Sequence, residues 1–500
     1  ELLTGDVPLF ATAAGHGVLT GPGGLAVGEP RDLVAAALDR WRGLGDAVEG
    51  QVIETAVVSA YRDEDGVDPA EPLLPGPVST ADLDARRRRL AADLVREAVD
   101  HAVRGDDGTV TWTAPTLLPT GVVVRPLGAD VYSGLPGVAL VLAGYRAEVA
   151  AGRADEVPGS AELLDGVVRS IAMLDEQVER ERGEHPDARP EAPGAYVGLG
   201  ARVWGWLALA GFGVVDAGEA AARATAIAAP VQEAVAADEF HDLLIGIAGA
   251  VVPLARLAAA TGEDRWLDEA VRIGDRLAAL AIVDGDGARW PGTRSESGLG
   301  GFAHGSVGIG WALLRLAEAT GEDRFARLGA AGLAFQDSLW SDRLGGWDDL
   351  RKPGTVAANW CHGADGVGVV AATLPDGAGD PALRRAAHST WADGLGVTHT
   401  LCHGDLGSWE VLDLALRRGV APDGLTRDLL DARMLGGIEH FGPRAAVIGR
   451  SFRPGLMTGM GGMAYQLLRM HPRCRLPTLL LPDPALATTA RTAAATATAR

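Results

Sequence analysis

The chain contains little cysteine and almost no lysine. Three of its 500 residues are cysteines, Cys361, Cys402 and Cys474, and Lys352 is its only lysine. An odd and sparse set of thiols in a chain of this length is no disulfide framework, so we expect free thiols in a reducing, cytoplasmic compartment. Because arginine carries almost all the positive charge, the shortage of lysine indicates GC-rich coding bias more than a function.

The sequence also lacks a positive net charge and long apolar runs. Its formal net charge of −21 argues against a broad basic surface, so nucleic acid is not an expected partner. Every stretch of about eighteen or more residues contains charged residues or glycine, so no membrane span is predicted. Aromatic residues make up 5% of the chain and apolar residues 47%, which favours helices that pack closely through Ala, Leu, Val and Gly.

A Gly-rich turn followed by an apolar helical run recurs seven times, at spacings of roughly 40 to 65 residues that are typical of repeat architectures. The turns begin at Gly134, Gly198, Gly246, Gly305, Gly363, Gly404 and Gly459. The segment ATGEDR occurs at 260–265 and again at 319–324, and this offset equals the one between the preceding turns. Because the register holds across the whole unit, the similarity is a repeat rather than chance.

Each repeat also contains a second helix, such as WLDEAVRIGDRLAAL after Arg265, whose apolar residues recur at helical spacing. One repeat is therefore a helical hairpin. A closed ring of hairpins leaves no end repeat to cap. We predict an all-α fold, an α/α toroid of about seven helical hairpins with one helix of each pair inside. Gly308, Gly310 and Gly368 are expected to let the inner helices approach one another.

The composition also predicts the domain boundaries. The toroid is expected to span 79–484, with a first helix capped by Ser79 or Thr80. A Pro- and acid-rich linker (64–77) precedes it. An Ala/Thr-rich tail (485–500) has no apolar face and is expected to be disordered.

Two cysteines occupy matching turns, Trp360-Cys361-His362-Gly363 and Leu401-Cys402-His403-Gly404. A third turn places His304 in the slot of these histidines. Equivalent positions of a toroid lie on one rim, so the side chains should converge. Cys and His are the preferred ligands of zinc, and catalytic zinc keeps three protein ligands and one open position. We therefore predict one catalytic zinc ion, held by both cysteines and a neighbouring histidine.

Other polar residues near the turns have simpler explanations. Asp130 precedes the first turn and is either a turn former or a functional residue. Asp242 has the matching place before the third turn, where a structural role is favoured. His399 and Cys474 are expected to pack without a role in chemistry.

Five segments resemble the lanthionine cyclase family, in the form fused to a dehydratase in class II lanthipeptide synthetases. They are GADVYSGLPGVAL, GLGGFAHGSVGIGWALLRL, NWCHGADGVG, LCHGDLGSWEVLDLAL and RPGLMTGMGGMAYQLLRM. The start, ELLTGDVPLFAT, looks like the tail of the kinase-like dehydratase domain. The resemblance implies that 1–78 is a remnant of that domain plus linker. The upstream dehydratase domain would then precede Glu1, where the chain begins without methionine or signal segment.

The resemblance also implies roles for individual residues. Cys361, Cys402 and His403 match the family's zinc ligands, and His304 matches its acid/base histidine. Asp130 matches an aspartate thought to assist near the site. His362 occupies a position around the ligands where family members carry His or Tyr. The chain departs from the family pattern at two positions: Ala357 stands where some members carry arginine, and Asp365 where a proline is usual.

The implied function is zinc-dependent cyclisation of a precursor peptide that carries a leader. Cysteine thiols of this peptide would add to dehydroalanine or dehydrobutyrine and form lanthionine or methyllanthionine rings. One alternative is another zinc enzyme with the same toroid, such as a protein prenyltransferase β-subunit, whose zinc is bound by Asp, Cys and His. A second alternative is a non-catalytic protein that binds zinc and a thiol such as glutathione.

Overall fold

The computed structural model describes residues 11–12, 18–21, 24–28, 32–43, 50, 53, 57, 73–74, 76–118, 121–375, 377–445 and 452–483. The chain divides into two compact units, with the boundary between Val57 and Val58. The first contains a small hairpin, β1 (Leu19–Thr20) with β2 (Ala26–Val27), and one helix, α1 (Leu33–Gly43). The predicted tail 485–500 and most of ELLTGDVPLFAT lie outside the described residues. The assignment of 1–78 to a dehydratase remnant stays a prediction.

The second unit consists mainly of two concentric layers of helices. The inner helices are α3 (Leu135–Ala150), α5 (Leu199–Gly211), α8 (Ala248–Thr261), α10 (Ser306–Thr320), α12 (Ala364–Ala371), α14 (Asp405–Arg418) and α16 (Met460–Arg469). The outer helices are α2 (Leu83–Asp100), α4 (Ser160–Glu184), α6 (Ala217–Ala228), α9 (Arg265–Leu280), α11 (Asp323–Ser338), α13 (Asp380–Asp393) and α15 (Arg427–Phe441). A short helix, α7 (Val231–Ala236), follows α6.

Six inner helices pack against the outer helix that follows them, and the seventh pair joins α16 to α2 from the other end of the unit. Neighbouring inner helices contact one another from α3 to α14. Gln466 and Arg469 of α16 bind Glu410 of α14, and α16 also contacts α3. The ring is therefore closed, which confirms the predicted α/α toroid of seven hairpins.

Backbone hydrogen bonds link the turns at one rim in a complete circle, called the rim ring below. The links run from Met457 N to Tyr132 O, Cys402 N to Met457 O, Trp360 N to Cys402 O, Ala303 N to Cys361 O, Leu244 N to Ala303 O, Tyr196 N to Leu244 O and Tyr132 N to Tyr196 O, at 2.8–3.2 Å. Each of the seven turns thus donates to one neighbour and accepts from the other. This arrangement satisfies buried backbone groups that precede the inner helices.

In six of the seven repeats a second glycine follows the first glycine of the turn by three residues, and the rim ring explains these pairs. The second glycine of each pair lies so close to its own turn that an added Cβ would stand 1.9–2.2 Å from a backbone oxygen. These positions are Gly137, Gly249, Gly308, Gly366, Gly407 and Gly462. Gly308 lies against the backbone of its own turn, and Gly310 lies against Gly329 of the outer helix α11. The expectation that these two glycines let inner helices approach one another was therefore wrong. Gly368 does lie against an inner neighbour, at Val411 of α14.

The C-terminal segment (residues 476–483) packs against residues of the inner layer. Its carbonyl groups accept hydrogen bonds from Tyr196 Oη to Leu479 (2.9 Å) and from Trp360 Nε1 to Leu480 (3.0 Å). The Asp483 carboxylate binds Arg256 of α8 with two contacts of 2.8 Å. Since these partners come from different hairpins, the segment joins separate parts of the inner layer.

Two local features differ from the sequence predictions. The first helix of the toroid begins at Leu83 and follows Asp82, which has φ 52° and no side-chain cap, so capping by Ser79 or Thr80 was wrong. Four short antiparallel hairpins, which were not predicted, lie in the connections of this unit. They are β3 (Val103–Arg104) with β4 (Val110–Thr111), β5 (Thr113–Leu118) with β6 (Gly121–Pro126), β7 (Ile282–Asp284) with β8 (Gly287–Arg289), and β9 (Trp340–Ser341) with β10 (Gly346–Trp347). Among the described helices, none combines the length and apolar character that a membrane crossing requires.

Replacement of Gly308 by alanine should destabilise the ring. The new Cβ would meet the Phe302 carbonyl oxygen, and such overpacking costs about 1–3 kcal/mol. Gly183→Ala on α4 is a matched control, because its Cβ would meet nothing and alanine favours a helix. Thermal unfolding should show a lower Tm for the first variant and an unchanged or higher Tm for the second. Equal Tm values for Gly308→Ala and wild type would contradict the close approach.

Asp365 makes the stability of the ring depend on pH. Its carboxylate is buried and accepts hydrogen bonds from Thr390 and Ser408, and burial raises its pKa to about 7. The folded protein therefore keeps this proton up to about pH 7, whereas the unfolded chain loses it near pH 4. Stability should fall by about 1.4 kcal/mol per pH unit between these values on account of this group.

The Asp365→Asn variant should consequently lose less stability than wild type between pH 5 and pH 8. Urea unfolding midpoints at both pH values measure the difference. Exposed Asp286→Asn is the control and should follow wild type. Parallel pH profiles for wild type and Asp365→Asn would refute the raised pKa.

Candidate metal centre

The turns before α12 and α14 are neighbours on the rim and bring two cysteines together. Cys361 comes two residues before the cap glycine Gly363, and Cys402 two residues before Gly404. The hydrogen bond from Trp360 N to Cys402 O (3.0 Å) fastens one turn to the other. Backbone geometry thus fixes the separation of two side chains that are distant in sequence.

The sulfur atoms of Cys361 and Cys402 and a ring nitrogen of His403 all lie within 4.8 Å of one another. His403 Nε2 is 3.2 Å from the Cys361 sulfur and 3.8 Å from the Cys402 sulfur. Both cysteines are buried, and His403 is half-buried. No other group of this kind occurs in the described part of the chain. These are the three residues that the sequence predicted as ligands.

The donor set fits a tetrahedral metal ion. Zinc lies about 2.3 Å from thiolate sulfur and about 2.0 Å from imidazole nitrogen, which separates neighbouring ligand atoms by about 3.5–3.8 Å. The observed distances are close to this spacing. The cluster has three donors, so it would leave one coordination position for another ligand. The three side chains could therefore hold a metal ion.

The two thiols differ in their ease of ionisation. A hydrogen bond from Cys402, together with His403, holds the pKa of Cys361 well below its usual value. Burial and the neighbouring sulfur of Cys361 raise the pKa of Cys402 well above its usual value. Burial opposes protonation of His403, but the hydrogen bond with Cys361 outweighs it and raises the histidine pKa. A bound cation would favour the second thiolate by its charge.

Two polar side chains lie behind the sulfurs. The Tyr132 hydroxyl donates to the Cys402 sulfur at 3.0 Å. The amide oxygen of Asn359 lies 3.3 Å from the Cys361 sulfur and accepts from the backbone N–H of His362 at 3.0 Å. Both ligand cysteines are thus held by residues of the turns.

His304 lies on the neighbouring turn and is oriented by a buried carboxylate. Its Nδ1 donates to Asp242 Oδ2 at 2.8 Å. The other carboxylate oxygen accepts the backbone N–H groups of Ile245 and Gly246, at 2.8 and 2.9 Å. Arg294 Nε is 3.3 Å from the oxygen that His304 binds. Since Nδ1 is committed to the carboxylate, Nε2 is the ring nitrogen left for proton transfer.

His362 connects His304 to the cysteine turns. The two imidazole rings stack, with centroids 4.7 Å apart and planes inclined by 29°. Burial lowers the pKa of His362 to about 4, so this ring is neutral at physiological pH. A neutral ring can pack against His304 without adding a second positive charge.

Asp130 has a different environment from that of Asp242. Its carboxylate accepts from the backbone N–H of Ser133 at 2.7 Å and from the Ser133 hydroxyl at 3.3 Å, and burial raises its pKa. These bonds are those of a turn former, one of the two roles open from the sequence. Its participation in catalysis stays a prediction.

Three residues around the cluster were missed from the sequence: Asp242, Tyr132 and Asn359. A structural role was favoured for Asp242, yet its carboxylate bonds to His304 as well as to its own turn. A signal was present, because its hairpin precedes that of His304 and consecutive hairpins are neighbours in a ring. His399 Nδ1 accepts the backbone N–H of Arg444, and the Cys474 sulfur accepts that of Leu476. That neither residue takes part in chemistry stays a prediction.

Metal binding should depend on Cys361 and Cys402 and not on Cys474. Either Cys361→Ala or Cys402→Ala removes one of three donors, so cobalt(II) titration should show loss of tight binding at one equivalent. Cys474→Ala should retain wild-type binding because its thiol lies outside the cluster. Tight one-to-one binding by the Cys402→Ala variant would disprove this ligand set.

Among the comparisons with known proteins, the likeness to nisin cyclase agrees with this architecture. The solved structure of nisin cyclase matches with a TM-score of 0.50 and 16% identity, over 72% of this chain and 92% of that one. An inactive variant of the α-1,6-mannanase of Salegentibacter sp. matches with a TM-score of 0.35 and 11% identity, over 78% and 100%. A search of curated proteins gives no match. The family described as lanthionine synthetase C-like protein matches residues 125–481, and the chain belongs to this family.

Proposed function

We propose that this protein is a zinc-dependent lanthipeptide cyclase and forms the C-terminal part of a class II lanthipeptide synthetase. The observation that carries the proposal is the placement of a Cys361–Cys402–His403 cluster beside the His304–Asp242 pair. Membership of the lanthionine synthetase C-like family supports the same reaction. The proposed substrate is a precursor peptide with a leader, dehydrated by the upstream domain.

Zinc suits this cluster because two thiolates and one imidazole are typical zinc donors. When bound, zinc would lower the pKa of a substrate cysteine and present its sulfur as a thiolate at neutral pH. A prenyltransferase-type site would need an aspartate among the ligands, and the cluster contains none. The ligand chemistry therefore favours cyclisation over prenyl transfer.

His304 is the proposed acid/base residue. Its free Nε2 accepts the proton of the incoming cysteine thiol. The sulfur then forms a bond to the β-carbon of the dehydrated residue, and the π electrons move to the neighbouring carbonyl as an enolate. The α-carbon of this enolate takes a proton from His304 Nε2, which restores the neutral imidazole.

Asp242 supports both proton transfers. Its carboxylate fixes the Nδ1–H tautomer and stabilises the imidazolium that exists between the two steps. The stacked His362 ring restricts rotation of the same imidazole. We therefore assign the orientation of His304 to Asp242, while Asp130 remains a proposed assisting residue on the basis of resemblance.

Mass spectrometry after thiol alkylation of a predehydrated precursor peptide tests this function. Wild type should consume peptide thiols as rings form. Cys402→Ala should lose both zinc and cyclisation. His304→Ala should retain zinc but cyclise about 10²–10⁴-fold more slowly, because general acid–base catalysis contributes that much. Asp242→Asn should also retain zinc, with a smaller loss of rate.

Cys474→Ala is the matched control and should cyclise like wild type. Tight zinc binding by wild type without any ring formation would contradict the enzyme and support a zinc- and thiol-binding protein. Full activity of His304→Ala would exclude that residue as the acid/base group. Stoichiometric zinc in each variant, measured by atomic absorption, separates loss of metal from loss of catalysis.

A further inference from the structure

The proposed function, on which this inference rests, requires that one sulfur atom react in preference to others beside it. Three sulfurs would surround one ion: those of Cys361, Cys402 and the substrate cysteine. Each is a potential nucleophile toward the electrophilic β-carbon of a dehydrated residue. Attack by a protein sulfur would form a stable thioether and spoil the ligand. The site needs a feature that distinguishes a permanent ligand from the substrate thiolate.

One protein sulfur has such a feature. The Tyr132 hydroxyl donates to the Cys402 sulfur at 3.0 Å, and the Cys402 side chain is fully buried. A phenol is protonated near neutral pH, so the Tyr132 hydroxyl is a hydrogen-bond donor. Hydrogen bonds to charged groups are shorter and stronger than those between neutral groups.

The rim ring fixes the two partners of this bond through one residue. Met457 donates its N–H to Tyr132 O at 2.8 Å and accepts the N–H of Cys402 at 2.9 Å. Tyr132 N is also bonded, to Tyr196 O at 3.1 Å. These hydrogen bonds therefore fix the distance between the backbones of Tyr132 and Cys402. The main chain thus positions the phenol for the sulfur.

We propose that Tyr132 is a positioning residue that makes Cys402 a permanent, weakly nucleophilic ligand. Its hydrogen bond withdraws electron density from the sulfur lone pairs, as hydrogen bonds to metal-bound thiolates do elsewhere. The substrate sulfur occupies the remaining position without this donor and stays the more reactive nucleophile. The Cys361 sulfur lies against the amide oxygen of Asn359, which also accepts the backbone N–H of His362. The hydrogen bond from the phenol therefore lowers the nucleophilicity of Cys402 but not that of Cys361.

The reaction that Tyr132 suppresses is the addition of the Cys402 sulfur to a dehydrated residue, which needs only water as a proton source. The Cys402 thiolate would form a C–S bond to the β-carbon of a dehydroalanine, and the π electrons would move to the carbonyl oxygen. The resulting enolate would take a proton from water at its α-carbon. The product is a Cys402 thioether, which no longer binds a metal as a thiolate.

Cobalt(II) spectroscopy of the full chain provides the first test. Tyr132→Phe removes the hydroxyl and keeps the ring. Loss of the hydrogen bond raises the energy of the sulfur lone pairs, so the sulfur-to-cobalt charge-transfer band should move to longer wavelength. Tyr145→Phe is the matched control, because the Tyr145 hydroxyl donates to the backbone carbonyl of Asp155 and not to a cysteine sulfur. The charge-transfer band of this variant should stay in place.

The outcomes separate this inference from the proposed function. Wild type that binds no cobalt would overturn the metal centre and the function together. Wild type and Tyr132→Phe with bound cobalt and the same band position would overturn the role of Tyr132 alone. Should Tyr132→Phe fail to fold, 3,5-difluorotyrosine at position 132 gives a stronger donor. Its band should move to shorter wavelength, and an unmoved band would equally overturn the role.

Alkylation by a small electrophile provides the second test. Zinc-loaded proteins are incubated with N-acetyl-dehydroalanine methyl ester, without peptide, and adducts are mapped by mass spectrometry. The adduct on Cys402 should form about threefold to tenfold faster in Tyr132→Phe than in wild type or Tyr145→Phe, since a hydrogen bond to a charged sulfur is lost. The Cys361 adduct should form at the same rate in all three. Equal Cys402 rates would overturn the proposal.

Discussion

The closed circle of backbone hydrogen bonds between the rim turns is the constraint on which the candidate site depends. One link joins Trp360 to Cys402 and the next joins Cys361 to Ala303, beside His304. The two sulfurs and the imidazole of His304 are therefore set by main-chain geometry rather than by long side chains. Because every turn both donates and accepts, a shift of one turn would break bonds on both of its sides. Such a ring can hold a preformed site at the ends of separate helices.

The same circle requires the small residues that make the repeats visible in the sequence. At Gly366 and Gly407 a methyl group would collide with the backbone of the cysteine turns. The glycines thus permit the helices to begin directly behind the ligands. Cys361 and Cys402 come two residues before the caps of α12 and α14, and the N-terminus of a helix favours negative charge nearby. The same glycines therefore allow the close packing of the rim and place the two sulfurs near helix N-termini.

The repeats explain why the fold and the clustering of Cys361, Cys402 and His403 could be predicted from sequence. Equivalent slots of a ring converge, so two Cys-His turns and the turn of His304 had to meet on one rim. Asp242 was harder to assign, because its bond to His304 depends on how neighbouring turns face each other. Gly310 was misinterpreted for a related reason: periodicity places it on an inner helix but does not say that it faces α11. The Tyr132 bond depends on a single side-chain direction, which no spacing in the sequence specifies.

The C-terminal segment supplies acceptors to donors that are buried in the inner layer. Leu479 and Leu480 accept hydrogen bonds from the Tyr196 hydroxyl and the Trp360 indole N–H, whose side chains are fully buried. A buried donor that loses its acceptor costs about 1–3 kcal/mol of folding free energy. Shortening the chain before residue 476 would therefore weaken hairpins whose own sequences are unchanged.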